Sequence, residues 1–264
     1  MTAGPPGHQA VTVTADVVLF TIRGGQLAVL LRRWPDGAPG TWALPSTVLG
    51  NDEDADAAAR RALRDATGQS AFGGHLEQLR TYTAATRAGA GAGRAVAIAH
   101  AAMEPDLANP PVSPGDSGNG RGRDARFWWT SDVLGPGGDA VPLALDHRDI
   151  LLDAVERVRS KLEYTSLATS FVEEPFTIGE LRHVYESVWD VQLHRANFRR
   201  AVLSVQGFVV PAEPGERAAA SPAVSHGAGQ RPAQLYRRGP VRVLHPAILR
   251  PGPASEDPDD PDEG

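Results

Sequence analysis

The chain of 264 residues contains no cysteine, which excludes disulfides and cysteine-based zinc sites. Lys161 is its only lysine, and every other basic side chain apart from histidine is an arginine. No apolar run reaches the roughly 18 residues of a membrane-spanning helix. The N-terminal residues MTAGPPGHQA lack both the basic and the apolar segments of a secretion signal. We therefore expect a cytoplasmic protein that makes no membrane contact.

Charge is unevenly distributed along the chain. The net charge is -6, yet residues 176–250 contain ten arginines and only five acidic residues. The last ten residues carry six acids and no base. A basic C-terminal module followed by an acidic, disordered tail at 251–264 is therefore predicted. We also expect residues 1–9 to be disordered.

The stretch Trp42–Gln69 combines a strand end, a turn and a helix that stops at Gly68. It resembles the Nudix box, which marks enzymes that hydrolyse nucleoside diphosphates linked to another group. Glu53, Arg61 and Gly68 keep the spacing of that box. We expect Glu53 and Arg61 to pair across the loop, and Gly68 to end the helix, so that all three have structural roles.

The carboxylates that an active box requires are missing. Its three metal-binding glutamates correspond to Ala62, Asp65 and Ala66, which share one helix face because they are spaced i, i+3 and i+4. One carboxylate rarely retains Mg²⁺ without help from substrate phosphates. We therefore predict no catalytic residue, no metal site and no required cofactor. The alternative is an active Nudix hydrolase that recruits ligands from outside the box, such as Asp52 or Glu77.

Residues 10–145 are predicted to form the domain around this box. Strands are expected at 11–22, 26–33, 75–83, 94–103 and 125–130, with a helix at 54–67 and a mobile loop at about 104–124. Gly24 and Gly25 predict a hairpin turn. Four residues are candidate contacts to a small-molecule effector: Arg32, Arg33, Trp42 and Glu77. For the two arginines, a solvated strand end is the alternative interpretation.

Residues 146–250 are predicted to form a second domain, introduced by a linker helix at 146–163. An apolar stripe from Ile150 to Leu162 supports this helix. His147 lies in its first turn, where packing or capping is the favoured role because no second ligand stands at metal-ligand spacing.

The rest of this second domain has the order of a winged helix-turn-helix. Thr177 and Glu180 have the spacing of a capping box that begins one helix, and a short turn leads to a second helix at 194–205. Strands at 208–210 and 233–238 enclose an unusually long wing loop at 211–232.

Arginines on the second helix and on the wing predict contacts with a DNA duplex. The candidate DNA-binding residues are Thr177, Arg195, Asn197, Arg199, Arg200, Tyr236, Arg237 and Arg238. Two alternatives remain open at this point. One is a small helical domain with a solvated basic face, and the other is a module that binds an acidic partner or the chain's own tail.

Ordered C-terminal segments make a resemblance specific. ALDHRDIL, RVRSKLEYTSLA, PFTIGELRHVYESV, RANFRRAVL and PAQLYRR follow the eroded box in this order. Together they resemble the NrtR family of Nudix-related transcriptional regulators. One departure is the Gly/Ala-rich loop at 86–94, where many members carry an Arg-Asp-Pro segment.

The resemblance implies an α+β protein: a Nudix-type α/β/α sandwich with a mixed sheet, followed by a winged helix-turn-helix domain. It also implies a homodimer that binds a double-stranded DNA operator and senses a small nucleotide effector, either ADP-ribose or NAD. Family members repress genes of NAD metabolism or of sugar use.

Overall fold

The computed structural model describes residues 11–35, 38–83, 94–110, 125–135, 141–213 and 233–251. The predicted disordered N-terminus at 1–9 lies outside these ranges. So do most of the loop at 104–124, most of the wing loop at 211–232 and all but the first residue of the tail at 251–264.

Seven strands form one mixed sheet in the first half of the chain. Its central path runs β3-β2-β1-β6-β5, with β4 beside β1 and β7 beside β2. Strands β1 and β6 are parallel, and the other pairs are antiparallel. The strands are β1 Thr12–Arg23, β2 Gln26–Arg33, β3 Trp42–Ala43, β4 Ser46–Val48, β5 His75–Tyr82, β6 Ala95–Met103 and β7 Ala125–Trp129.

The alternation of β1 divides the core into two layers. Ala15, Val17 and Leu19 pack beneath helix α1 (Ala55–Thr67), whereas Val18 and Phe20 belong to the layer beneath helix α3 (His147–Tyr164). Each face of the sheet is therefore covered by a helix, which confirms the predicted α/β/α sandwich. A short helix, α2 (Thr130–Leu134), follows β7 and was not predicted.

Local chemistry fixes both ends of α1. The Asp54 side chain accepts the Ala57 backbone N–H at 2.8 Å, which satisfies one of the donors that a helix start leaves free. Gly68 adopts φ +75° and donates its N–H to the Arg64 carbonyl. This left-handed conformation suits glycine because it has no Cβ, so the predicted helix end is confirmed.

Helix α3 packs on both halves of the molecule. Its buried residues include Ile150 and Val158, which belong to a single apolar cluster running from the sheet into the second domain. The Arg159 side chain donates to the Val188 carbonyl at 3.0 Å, and the Arg159 carbonyl accepts the Trp189 indole N–H at 2.9 Å. The predicted boundary at 145/146 stays a prediction, since this helix contributes to both cores.

The second domain contains helices α4 (Ile178–Trp189) and α5 (Arg195–Ser204), preceded by a 3₁₀ helix at Ser166–Phe171. A three-stranded sheet completes it, in the order β8 (Phe176–Thr177), β10 (Leu235–Arg238), β9 (Val209–Pro211). The two wing strands were predicted, but β8 was not. Gly239 lies against the Gly207 carbonyl, where an added Cβ would stand 2.0 Å from the oxygen.

The turn between α4 and α5 is held through the backbone of Leu193. The Glu186 carboxylate accepts the Leu193 N–H at 2.9 Å, and Arg182 donates to the Leu193 carbonyl at 3.1 Å. The two groups also lie 3.6 Å apart as an ion pair. Both polar groups of one residue are thereby satisfied, which fixes the angle at which α5 leaves α4.

The segment after the wing returns to α3, which was not predicted. Leu244 donates its N–H to the Tyr164 carbonyl, and Ile248 donates to the Glu163 carbonyl, each at 2.8 Å. Both apolar side chains are buried. The C-terminal described residues therefore attach the wing to the linker helix. Among the described residues, no helix is long and apolar enough to cross a membrane.

Candidate nucleic-acid interface and ligand site

Helix α5 presents four predicted DNA contacts to solvent. Arg195, Asn197, Arg199 and Arg200 are all exposed, whereas Phe198 and Val202 on the opposite face are buried. None of the four makes a hydrogen bond or ion pair with another residue that the structure describes. The structure therefore brings these four candidates together on one surface, as the sequence pattern predicted.

The wing arginines differ because both contact an acidic side chain. Arg237 Nη1 lies 3.5 Å from the Glu174 carboxylate, and the Arg238 backbone N–H donates to the same carboxylate at 3.0 Å. The Arg238 guanidinium also donates to the Thr169 carbonyl at 3.1 Å. Glu174 stands in the connector before β8, and sequence reasoning missed it because that connector has no recognisable motif.

Two of the predicted DNA contacts are engaged within the domain, and their contact with a duplex stays a prediction. Tyr236 is 5% exposed, because its ring turns inward where β10 pairs with β8. The Thr177 hydroxyl is occupied by the capping box, since it accepts the Glu180 N–H at 3.1 Å and lies 3.0 Å from the Glu180 carboxylate. Tyr236 therefore contributes to the packing of the domain, and Thr177 to the start of α4.

The box residues behave as predicted for a structural role. Glu53 pairs with Arg61, accepts the Gly50 N–H at 2.8 Å, and Arg61 also donates to the Val48 carbonyl at 2.9 Å. The hydrogen bond from Arg61 lowers the pKa of Glu53, with a further contribution from Gly50. The pair thus closes the loop between β4 and α1.

The small side chains of the box face the sheet. Ala62 and Ala66 are buried in the layer with Val17 and Leu19, while Asp65 is exposed. No group of three metal-ligating side chains occurs among the described residues. The alanines therefore serve as close-packed core at positions where the Nudix pattern places carboxylates.

The four predicted effector contacts do not form one site. Arg33 and Trp42 are paired on neighbouring strands, but Arg32 alternates to the opposite face of the sheet. Glu77 lies on β5, at the far edge from β3. Trp42 is 5% exposed and its ring contacts two guanidinium groups, so the prediction that it contacts a ligand directly is not supported.

Glu77 is engaged with the linker helix. Its carboxylate accepts a hydrogen bond from Lys161 on α3 and lies 3.1 Å from His75. Burial raises the pKa of the Glu77 carboxyl, but the hydrogen bonds from His75 and Lys161 and the charge of Lys161 outweigh that effect and lower it. This residue therefore connects the edge of the sheet to α3, and its contact with an effector stays a prediction.

A second set of polar contacts connects strand β5 to α3. The Tyr82 hydroxyl donates to the Asp153 carboxylate at 2.7 Å, and Arg80 pairs with that carboxylate. Burial, together with the bond to Asp153, raises the pKa of Tyr82 to about 12, against the opposing effect of Arg80. The phenol thus stays protonated and donates throughout the physiological range.

His147 anchors the start of α3. Its Nδ1 accepts the Leu44 backbone N–H at 3.0 Å, so the proton of the neutral ring stands on Nε2, which lies 3.4 Å from the buried Asp16 carboxylate. The Asp16 carboxylate also accepts a hydrogen bond from Ser46 at 2.6 Å. The prediction of a packing role for this histidine is confirmed.

Arg126, which sequence reasoning missed, lies with Trp128 beside Arg33 and Trp42. The Arg126 guanidinium stands 3.7 Å from the Trp128 ring centroid and 4.9 Å from that of Trp42. The two indoles meet edge to face with centroids 5.3 Å apart. The sequence could have indicated this pair, because residues two positions apart in a strand, such as Arg126 and Trp128, lie on the same face of the sheet.

A cleft lies between the seven-stranded sheet domain and the winged helix. Its volume is about 570 Å³, and its walls come from the β1–β2 hairpin, α2, α3 and α4. Ser187 on α4 crosses it by donating to the Gly25 carbonyl at 2.9 Å. The hairpin turn of the sheet and the first helix of the helix-turn-helix pair are therefore in direct contact.

Known proteins share these features. Residues 168–238 match the family described as the NrtR DNA-binding winged helix domain. A curated relative from Acinetobacter baylyi, the ADPR responsive transcriptional repressor NtrR, is 29% identical over 232 residues, covering 85% of this chain and 81% of the relative.

Solved structures match over nearly the whole chain. Shewanella oneidensis NrtR, crystallised in complex with a 27mer DNA, is 27% identical with a TM-score of 0.64, and the match covers 87% of this chain and 96% of that one. A MutT/nudix family protein from Enterococcus faecalis is 23% identical with a TM-score of 0.63, covers 89% of each chain and supports the fold alone. The resemblance predicted from the sequence is confirmed: residues 168–238 match the NrtR winged helix domain, and the chain is similar over most of its length to an NrtR structure that includes a Nudix domain.

Proposed function

We propose that this protein is a DNA-binding transcriptional repressor whose Nudix-like domain senses ADP-ribose or a related nucleotide. The observation that carries the proposal is the exposed basic surface of α5, on a domain of the NrtR winged-helix type. Genes of NAD metabolism, or of sugar use, are the proposed targets. Both the DNA-bound NrtR structure and the ADPR responsive relative support this assignment.

The arginines of α5 are suited to a duplex because they are not engaged elsewhere in the described part of the chain. Arg195, Arg199 and Arg200 would supply affinity through phosphates, and Asn197 can donate to and accept from an adenine edge in the major groove. A homodimer would place two such helices about 34 Å apart and so read a palindromic operator.

Effector binding reaches the DNA-binding surface through α3. This helix is tied to the sheet by Glu77 and Asp153 and to α4 by Arg159. A ligand that shifts α3 relative to the sheet therefore also shifts α4, and with it the spacing of the two recognition helices. By thermodynamic linkage, an effector that weakens operator binding must itself bind less tightly to the DNA complex.

We further propose that the protein is not a hydrolase. Ala62 and Ala66 offer no ligand to Mg²⁺, and Glu53 is committed to Arg61. Hard divalent cations require several oxygen ligands, and of the three metal-binding positions of the box only Asp65 provides a carboxylate. The Nudix-like domain then binds its nucleotide without cleaving it.

The test is fluorescence anisotropy of the full chain on duplex DNA from its own upstream region, with a scrambled duplex as control and ADP-ribose as titrant. Selective binding that ADP-ribose changes is expected. Equal, salt-sensitive binding to both duplexes would overturn the repressor proposal. Release of AMP from ADP-ribose in the presence of Mg²⁺ would overturn the non-catalytic assignment.

A further inference from the structure

The cluster of Arg33, Trp42, Arg126 and Trp128 lies on one face of the sheet. Arg33 pairs with Trp42 across β2 and β3, and Arg126 pairs with Leu31 across β7 and β2. Because Leu31 and Arg33 are two residues apart, all of these side chains emerge on the same side. This is the α3 side, opposite to the box helix α1.

Two positively charged guanidinium groups contact the same indole ring in this cluster. The guanidinium carbons of Arg33 and Arg126 stand 5.0 and 4.9 Å from the same Trp42 ring centroid. Their separation therefore cannot exceed the sum of those two distances. An anion of two or more charges placed between the two groups would be attracted by both of them.

Stacking leaves the hydrogen-bonding edge of Arg126 available. A guanidinium lying over aromatic rings uses its face, whereas its five N–H donors point outward in its plane. Arg126 is exposed, and its side chain makes no hydrogen bond or ion pair with another residue among those the structure describes. The indoles fix the position of this group, so little side-chain freedom remains to be lost on binding.

We propose that Arg126, together with Arg33, binds the diphosphate of the nucleotide effector, and that Trp42 and Trp128 position the two guanidinium groups. Each phosphoryl group then accepts charge-assisted hydrogen bonds from one arginine. This inference deepens the proposed function and rests on it. In this proposal Trp42 does not contact the ligand itself. It positions the two arginines that do.

The position of the cluster connects it to α3. Trp42 exchanges backbone hydrogen bonds with the segment before α3, since its N–H donates to the Pro142 carbonyl and its carbonyl accepts the Ala144 N–H, each at 2.8 Å. A diphosphate that draws Arg33 and Arg126 together therefore acts on the strand to which the start of α3 is attached.

The experiment is isothermal titration of the full chain with ADP-ribose, adenosine and inorganic pyrophosphate, comparing wild type with Arg126→Gln. Glutamine keeps a polar chain over the indole but removes the charge and the planar fork. Arg23→Gln is the matched control, because Arg23 also stands over an aromatic ring, 5.6 Å from Phe127. Arg23 differs in also donating to Asn109, at 2.8 Å.

Arg126→Gln is expected to raise the Kd for ADP-ribose by about tenfold or more, with Arg23→Gln close to wild type. Adenosine, which lacks the diphosphate, should bind both variants alike. Indole fluorescence gives a second readout, because ADP-ribose should change the emission of wild type and should change it less in Arg126→Gln. Unaltered ADP-ribose affinity in Arg126→Gln would overturn the site and leave the proposed function standing.

If the wild-type protein binds pyrophosphate but not ADP-ribose, the anion site can be tested separately from the identity of the effector. Loss of that pyrophosphate binding in Arg126→Gln would retain the anion site and remove ADP-ribose as the effector. Wild-type protein that binds neither probe would overturn this inference together with the effector part of the proposed function.

Discussion

Helix α5 and the wing are both basic, but only the wing arginines contact an acidic side chain. On α5, Arg199 and Arg200 have no ion-pair partner among the described residues, whereas Arg237 and Arg238 on the wing both contact Glu174. An arginine without an acidic partner can bind a phosphate without first breaking an ion pair. A paired arginine must first give up its carboxylate, so its net contribution to binding is smaller.

The two domains also differ in whether their charged side chains have partners within the protein. In the Nudix-like domain, the charged pairs Glu53–Arg61 and Glu77–Lys161 join elements of one domain to each other or to the linker. Substitutions in such pairs should change stability. Substitutions on the exposed face of α5 should change DNA binding and leave stability nearly unaffected, and the following predictions test that division.

The largest effect is expected from removing two free arginines together. Arg199→Ala with Arg200→Ala should weaken operator binding on the order of 100-fold at moderate salt, because each guanidinium displaces counterions from the duplex. The slope of log K against log salt should fall by about two. Anisotropy titrations at several salt concentrations measure both quantities.

Arg250→Ala is the control for this double variant. Arg250 is partly exposed like the others but lies 3.7 Å from Glu156 on α3, away from the recognition helix. Its operator affinity and salt slope should match wild type. A double variant with an unchanged salt slope would show that α5 does not contact the phosphate backbone.

A smaller effect is expected at Asn197. Asn197→Ala should reduce discrimination between operator and scrambled duplex by about 1–3 kcal/mol, because a paired amide can read an adenine edge in the major groove. The salt slope should stay as in wild type, since no charge is removed. Competition binding with single-base operator variants locates the base concerned, and an unchanged preference at every position would exclude Asn197 as a base-reading residue.

Local sequence signals predicted the elements that local chemistry controls. The hairpin at Gly24 and Gly25, the caps of α1 and the capping box at Thr177 all depend on residues within four positions of one another. Their conformations were therefore readable without knowing the rest of the fold. The Glu53–Arg61 pair, eight positions apart, was predictable because both residues keep the spacing of the box.

The contacts that could not be predicted from the sequence are those between distant segments. Tyr236 was predicted to face DNA because a strand alone does not show which side is covered, and β8 is only two residues long. Glu77 was assigned to an effector because its partner, Lys161, lies 84 positions away. Arg126 was missed because only the sheet pairing brings it to Trp42.

The ion pair between Glu77 on β5 and Lys161 on α3 tests whether paired charges contribute to stability. Glu77→Gln should lower the free energy of unfolding by about 1 kcal/mol at neutral pH, since the carboxylate loses its bond to Lys161. The pKa of Glu77 is lowered from its ordinary value of 4.5, so the folded state stabilises the charged form. This contribution is complete above pH 4.5 and is lost as the pH falls through the lowered folded-state pKa.

Urea unfolding of wild type and Glu77→Gln across this pH range measures the difference. Lys161→Met and the double variant complete a thermodynamic cycle that isolates the pair. A coupling energy near zero at neutral pH would show that the contact does not contribute to stability. Operator affinity measured without ligand should be little changed in Glu77→Gln.

The smallest predicted effect concerns the wing itself and has the opposite sign. Glu174→Gln should strengthen operator binding by about two- to threefold, because Arg237 and Arg238 no longer have to leave a carboxylate before meeting a phosphate. Glu173→Gln is the matched control: it removes the same charge one residue earlier, from an exposed side chain with no wing contact among the described residues. Anisotropy at low salt resolves the difference. If both variants strengthen binding equally, the gain reflects net charge alone. If neither does, the wing arginines do not contact the duplex, and α5 supplies the basic surface by itself.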